Sequence, residues 1–101
     1  MKKTLLILTA LFTIPSAYAD TPDITKGEKL FKRSCATCHG KQGEKKAFNQ
    51  SAIINQLNQE QIVMSLQDRK AGKIEGAGNT AKERLSEQDM KDVAEFIQTL
   101  K

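Results

Sequence analysis

The residues with the clearest chemical potential lie in one run, Cys35-Ala36-Thr37-Cys38-His39, which holds both cysteines and the single histidine of the chain. In a helical turn Cys35 and Cys38, three positions apart, lie on one face. From that face both thiols can form thioethers with the two vinyl groups of a porphyrin. His39 follows directly, so its imidazole can bind the iron from the proximal side. The spacing predicts one haem c, attached through Cys35 and Cys38 and ligated by His39.

A Cys-x-x-Cys pair has three other common uses in proteins. A thioredoxin-like redox disulfide requires a βαβ pattern, which this sequence lacks. A closed zinc site takes four protein ligands, so carboxylates would have to complete it. A structural disulfide across two residues closes a very small loop and adds little stability. No nucleophile–base pair or carboxylate pair accompanies the motif, so we expect no catalytic residues and an electron carrier rather than an enzyme.

The first 19 residues have the three parts of a secretory signal. Two lysines follow the initial Met, residues 5–14 are apolar, and a small-x-small ending leads to Ala19. The apolar run is much shorter than the about 20 residues that span a bilayer. We therefore expect cleavage after Ala19, export to a periplasm, and one monohaem domain over residues 20–101. An uncleaved anchor is the alternative.

Composition limits the kind of protein further. The chain has 101 residues, 28% charged and 39% hydrophobic, which fits one globular domain and excludes a polytopic membrane protein. Two lysines belong to the leader, so the remaining chain is less basic than its pI near 9.2 suggests, and we expect no DNA or other nucleic-acid partner. Outside the leader the aromatic residues are Phe31, Phe48 and Phe96. A hydrophobic core with so few aromatic residues needs an additional stabilising group, and a bound haem would be such a group.

The secondary structure that positions the Cys-x-x-Cys-His run is predicted to be all-α. Thr25-x-x-Glu28 predicts a helix start near Lys26, and this helix continues into the cysteine segment until glycines stop it after His39. Residues 41–51 are predicted as a surface loop, and a short helical turn follows around residues 53–57. Asn58-x-x-Gln61 predicts the cap of a helix that ends near residue 70.

The C-terminal part is predicted to contain one loop and one helix. Glycines make residues 71–80 a flexible loop. Ser86-x-x-Asp89 predicts a capped final helix that runs to Leu100, and Leu85 and Met90 stand at the two positions of a hydrophobic staple. Apolar residues recur along this helix at helical spacing, so one face should be buried.

The chain resembles a class I c-type cytochrome of the small bacterial periplasmic monohaem kind, over nearly all of residues 20–101. Gly27 and Phe31 match its Gly-x-x-x-aromatic motif, the Cys-x-x-Cys-His run follows at the expected distance, and the last helix carries the matching aromatic, Phe96. The resemblance implies three to five helices wrapped around one haem c, with Phe96 packed across the first helix near Gly27. It also implies a monomer that transfers single electrons between periplasmic or membrane-bound redox proteins, which dock transiently.

One departure from the family concerns the second axial ligand. The family supplies a Met from the loop before the last helix, near Gly78 here, but residues 71–84 contain no Met. Helix geometry predicts that Met64 points away from the apolar face of its helix, and the staple explains Met90. The sixth position is therefore open between these two methionines, a vacant site and three loop residues: Lys73, Asn79 and Lys82. Without a thioether we expect a lower redox potential than in Met-ligated relatives.

Two further departures lie near the expected haem. Arg69 stands where the family often has an aromatic residue, and its guanidinium either extends to water or reaches the haem pocket. Ala52 stands near the position of a Pro whose carbonyl orients the axial His, and the Ala52 carbonyl can serve instead.

Two functions follow from this sequence. The first is a periplasmic electron carrier whose exposed haem edge is ringed by Lys41, Lys45 and Lys46, which would speed docking on acidic partners. The second is a haem protein with an open or weakly held sixth site that binds NO, CO or sulfide, and its only support is the missing Met.

Overall fold

The computed structural model describes residue 9, residues 21–49 and residues 51–101. These ranges contain no strand, so the all-α prediction is confirmed. None of the helices described is long and apolar enough to cross a membrane. The predicted leader lies outside the described residues, apart from Thr9. The helices are α1 (Ile24–Ser34), α2 (Ala36–His39), α3 (Gln59–Lys70), α4 (Asn79–Glu83) and α5 (Glu87–Gln98), with two 3₁₀ turns at Ala47–Asn49 and Ile54–Gln56.

Helix α1 begins earlier than predicted because its cap is Asp23 rather than Thr25. Asp23 has an extended backbone, and its carboxylate accepts a hydrogen bond from the Lys26 N–H at 3.1 Å. A carboxylate at this position both satisfies a free amide and interacts favourably with the positive end of the helix dipole. The helix therefore starts at Ile24, two residues before the predicted position.

The two other predicted caps are confirmed. The Gln61 N–H donates to the Asn58 side chain at 2.8 Å, and the Asn58 N–H donates back to the Gln61 side chain at 2.9 Å. Ser86 and Asp89 exchange the equivalent pair of bonds at 3.0 and 2.9 Å. Helix α5 ends at Gln98 rather than Leu100.

The loop predicted over residues 71–80 is shorter in the structure. Helix α4 occupies residues 79–83, so the irregular segment ends at Gly78. Helix α4 has no side-chain cap, which is why no sequence signal marked its start. The predicted short turn before α3 is confirmed by the 3₁₀ turn Ile54–Gln56.

The core forms where α1 crosses α5. A Cβ atom added at Gly27 would lie 2.0 Å from the Asp92 carbonyl oxygen and 3.0 Å from the Phe96 Cβ. Beside this crossing the rings of Phe31 and Phe96 pack with their centroids 5.5 Å apart and tilted by 54°. The predicted packing of Phe96 across α1 is therefore confirmed. The buried hydrophobic residues are Leu30, Phe31, Ile62, Leu66, Leu85, Met90, Val93, Ala94, Phe96 and Ile97.

Asp92 fastens the start of α1 to α5. Its side chain is 1% exposed and accepts hydrogen bonds from the Asp23 N–H at 2.8 Å and from the Gln88 amide at 2.9 Å. A buried carboxylate needs such donors, because an unpaired one would lose its hydration without compensation. Asp23 thus caps α1 with its side chain and binds α5 with its backbone.

Gly27→Ala is expected to lower the free energy of unfolding of the holoprotein by about 1–3 kcal/mol, the usual cost of overpacking a close contact. Alanine gains about 1 kcal/mol in helix propensity over glycine, but the added methyl meets backbone that cannot yield easily. Urea unfolding followed by circular dichroism measures the change. Lys29→Ala, at an exposed position of the same helix, is the matched control. A Gly27→Ala protein as stable as this control would contradict the packing argument.

Candidate haem site

The Cys-x-x-Cys-His run forms one turn directly after α1. Cys35 separates α1 from α2, and its N–H still donates to the Phe31 carbonyl at 2.9 Å. The N–H groups of Cys38 and His39 then donate to the Cys35 carbonyl at 3.2 and 3.0 Å. Both thiols are free, with Cys35 half-buried and Cys38 exposed. The packed first helix therefore fixes the position of all three side chains.

These three residues line one cavity of about 350 Å³. The other walls come from the segment 47–57, α3, the segment before α4, α4 itself and α5. Apolar side chains of the core, including Ile62, Leu66, Val93 and Ile97, form the wall that the helices share. The structure thus brings the three predicted haem-site residues, Cys35, Cys38 and His39, to one cavity. Within the described ranges, no three His, Cys, Asp or Glu side chains form a group that could hold a metal ion by themselves.

The state of His39 and Cys35 fits a haem in this cavity. Burial lowers the pKa of His39, and the positive charges of Lys82 and Arg69 lower it further, so the imidazole is kept in the neutral form that binds iron. Burial raises the pKa of the Cys35 thiol to about 11, which keeps it protonated. The surroundings therefore favour the uncharged forms of both groups beside the largely apolar wall.

The Nδ1 atom of His39 is buried and has no hydrogen-bond partner among the described residues. The sequence allows the Ala52 carbonyl to orient this ring, but in the structure that carbonyl accepts a hydrogen bond from the Ser51 hydroxyl at 3.1 Å. Ala52 lines the same cavity as His39, and no hydrogen bond joins the two residues. The carbonyl bonds locally because the Ser51 hydroxyl is its chain neighbour.

The two remaining methionines do not reach the cavity. Met64 is 54% exposed, as the helical geometry predicted, and Met90 is 1% exposed within the core beside Leu85. The segment before α4 contributes Glu75, Gly76, Ala77 and Gly78 to the cavity wall, and of these only Glu75 has a side chain that could bind iron. Of the three loop residues named as candidates from the sequence, Lys82 lines the cavity and Lys73 and Asn79 do not.

Arg69 takes the second of its two predicted placements, on the cavity wall. Its guanidinium donates to the Asn79 side-chain oxygen at 3.4 Å, and the Asn79 amide donates to the Ile74 carbonyl. These bonds connect α3 to the first residue of α4 and to the segment between them. Arg69 and Asn79 therefore hold the segment 74–79 against the cavity.

Several lining residues had no predicted role. Phe48 falls in the predicted surface loop, yet it lines the cavity, with 65% of its surface exposed and a positive φ of 53°. Ser65 lines the cavity from α3, three residues after the buried Ile62, so extending the helical period could have identified it. Glu75 and Ala81 lie in segments where neither periodicity nor a cap gave a signal.

Comparisons with known proteins agree with this geometry. The sequence model of the family described as cytochrome c matches residues 24–101. A cytochrome c-553 of Helicobacter pylori is 37% identical to this chain over 102 residues, and a cytochrome c-553 of a second strain is 36% identical. Both alignments cover 100% of this chain and 100% of the relative.

Asn79→Ala is expected to loosen the segment 74–79, because it removes the hydrogen bonds to Arg69 and Ile74. One net hydrogen bond contributes about 1 kcal/mol, so backbone amides of this segment should exchange with deuterium about five- to tenfold faster. Mass spectrometry of peptides from the native holoprotein measures the rates. Thr80→Ala, at the next and exposed position, should leave them unchanged. Equal exchange in both variants would refute the role given to Asn79.

Proposed function

Because the chain belongs to the cytochrome c family, we propose that Cys35 and Cys38 hold its haem c through thioethers and that His39 is the proximal ligand of the iron. The family membership makes the chain an electron-transfer cytochrome with covalent haem c, and an electron carrier rather than an enzyme. The comparisons give no support to the small-ligand-binding alternative. The observation that carries the residue assignment is the shared cavity of Cys35, Cys38 and His39.

The haem supplies a one-electron iron couple, and the chain's own residues set its surroundings. Residues of α3 and α5 close one side of the cavity with apolar side chains, which exclude water from that side. His39 is kept neutral and is positioned by the backbone bonds of α2 to Cys35. Electrons pass at a haem edge, so no substrate pocket is required.

We further propose that the first 19 residues direct export and are removed after Ala19, leaving one monohaem domain over residues 20–101 that works in the periplasm. The support is the sequence of the leader, with its basic start, apolar run and small-x-small end.

The proposed partners are periplasmic or membrane-bound redox proteins with acidic docking surfaces, which a monomer of this chain would meet transiently. Lys41, Lys45 and Lys46 are exposed in the loop that follows the haem motif. This loop is held in place, because the Asn55 N–H donates to the Gly43 carbonyl at 3.1 Å and the Asn55 side chain donates to the Gln42 carbonyl at 2.9 Å. Positive charges on a held loop near the motif favour encounter with acidic partners.

Cys38→Ala and His39→Ala are each expected to abolish a stable holoprotein, because the small core depends on the bound haem. Haem staining on denaturing gels measures covalent attachment, and circular dichroism measures helix content. Thr37→Ala, at the exposed position directly before Cys38, is the matched control and should retain both signals. A soluble, folded, helical His39→Ala or Cys38→Ala protein without haem would contradict this dependence.

Replacing Lys41, Lys45 and Lys46 together by Gln should slow electron transfer to a redox protein of net negative charge by roughly tenfold at low ionic strength, since electrostatic steering is lost. Stopped-flow kinetics over a range of salt concentrations measures the bimolecular rate. The matched control replaces Lys26, Lys29 and Lys101, which are exposed and do not line the cavity, by Gln. An equal loss of rate in the control would show that only the net charge of the protein matters. It would exclude the loop with Lys41, Lys45 and Lys46 as the docking surface.

A further inference from the structure

The cavity that holds the Cys–His motif also contains an amine. Among the described residues that line it, outside that motif, Glu75 and Lys82 carry the side chains best suited to bind iron. Glu75 is exposed, whereas Lys82 is half-buried. Arg69 also lines the cavity, but a guanidinium keeps its proton and cannot offer a lone pair. Lys82 is therefore the donor that the walls of the cavity enclose best.

The position of the Lys82 amine depends on Gly78. A Cβ atom added at Gly78 would lie 2.7 Å from Lys82 Nζ, so the amine lies where a side chain of residue 78 would begin. The Lys82 N–H donates to the Gly78 carbonyl at 3.4 Å, and this turn of α4 sets Lys82 above Gly78. With glycine at position 78, space that any other side chain would fill is available to the amine.

Lys82 lies in surroundings that disfavour the charged form of its amine, chiefly because it is half-buried. Burial lowers its pKa, and the positive charge of Arg69 lowers it further. In the part of the chain that the structure describes, no carboxylate forms an ion pair with Lys82. The charge of Lys82 in turn acts on His39 and on Cys35, which shows that the amine lies close to the motif.

We propose that the Lys82 amine is the second protein ligand of the haem iron, together with His39. The proposal rests on the proposed haem site at Cys35, Cys38 and His39. It explains why Gly78, where the resemblance expects a Met, carries no side chain. Lys82 is half-buried and has no ion pair with a carboxylate among the described residues, and the iron would be its partner. An amine nitrogen can donate its lone pair to iron once it has lost its proton.

The test compares the ferric holoprotein with variants by electron paramagnetic resonance and optical spectroscopy. The native protein should be low-spin and should lack the weak long-wavelength band of thioether–iron ligation. Lys82→Ala removes the amine, and Lys82→Arg keeps the charge without a usable lone pair. Both should become high-spin and should bind added imidazole about tenfold or more tightly than the native protein, because no internal ligand competes.

Three further variants complete the test. Lys73→Arg alters an exposed lysine outside the cavity, and Glu75→Gln removes the other donor on its wall, so both should keep the native spectrum. Gly78→Met places a thioether where the amine lies and should produce the thioether band. The new Met side chain can be accommodated, because the atom nearest its Cβ is Lys82 Nζ, the end of a flexible side chain that can move away.

The outcomes separate this inference from the haem assignment. A native protein that is high-spin, Lys82 variants that keep the low-spin signal, or a Glu75→Gln protein that alone changes spin state would each overturn the Lys82 proposal while leaving the haem site intact. Quantifying covalent haem by its alkaline pyridine spectrum comes first. A native protein without covalent haem would overturn the proposed haem site as well as the Lys82 ligand.

Discussion

The crossing of α1 and α5 at Gly27 is the contact on which the rest of the fold depends. Only a residue without a side chain lets α1 come this close to the Asp92 carbonyl. The same crossing brings Phe31 against Phe96 and places the end of α1, with Cys35, beside the apolar face of α5. Val93 and Ile97 on that face then form a wall of the haem cavity. A steric constraint near the start of α1 thus determines where the thiols at its end are presented.

The features that could be predicted from the sequence are those whose interactions join residues close together along the chain. The reciprocal caps at Asn58–Gln61 and Ser86–Asp89 are complete within four residues, so the pattern alone identifies them. The Cys-x-x-Cys-His run is likewise complete within one turn, and its Cys35, Cys38 and His39 side chains line one cavity. The exposure of Met64 followed from helical periodicity alone, because α3 is long enough to define a face.

The features that could not be predicted depend on residues far apart in the sequence. Asp23 replaces Thr25 as the cap of α1 partly because its backbone N–H also binds Asp92, 69 residues away. Helix α4 has no cap of its own, and Arg69, ten residues before Asn79, helps to hold its first residue. The sequence could not select the second ligand of the iron for the same reason, because the position of the Lys82 amine depends on helix α4.

The cavity therefore combines two influences on the iron that act in opposite directions. Positive charge near a haem favours the ferrous state, because oxidation adds a further positive charge, and Arg69 is a permanent charge on the wall. A nitrogen donor in place of a thioether favours the ferric state. If Lys82 binds as a neutral amine, its own charge disappears and only Arg69 opposes the donor effect.

Each 59 mV of change in the redox potential corresponds to a tenfold change in the one-electron equilibrium constant. Arg69 is only half-buried and its field is partly screened by water, whereas a bound donor acts directly on the iron. With Lys82 bound, the donor effect is expected to be the larger of the two, and we then expect a redox potential below that of relatives with a Met ligand, as the missing methionine also predicts.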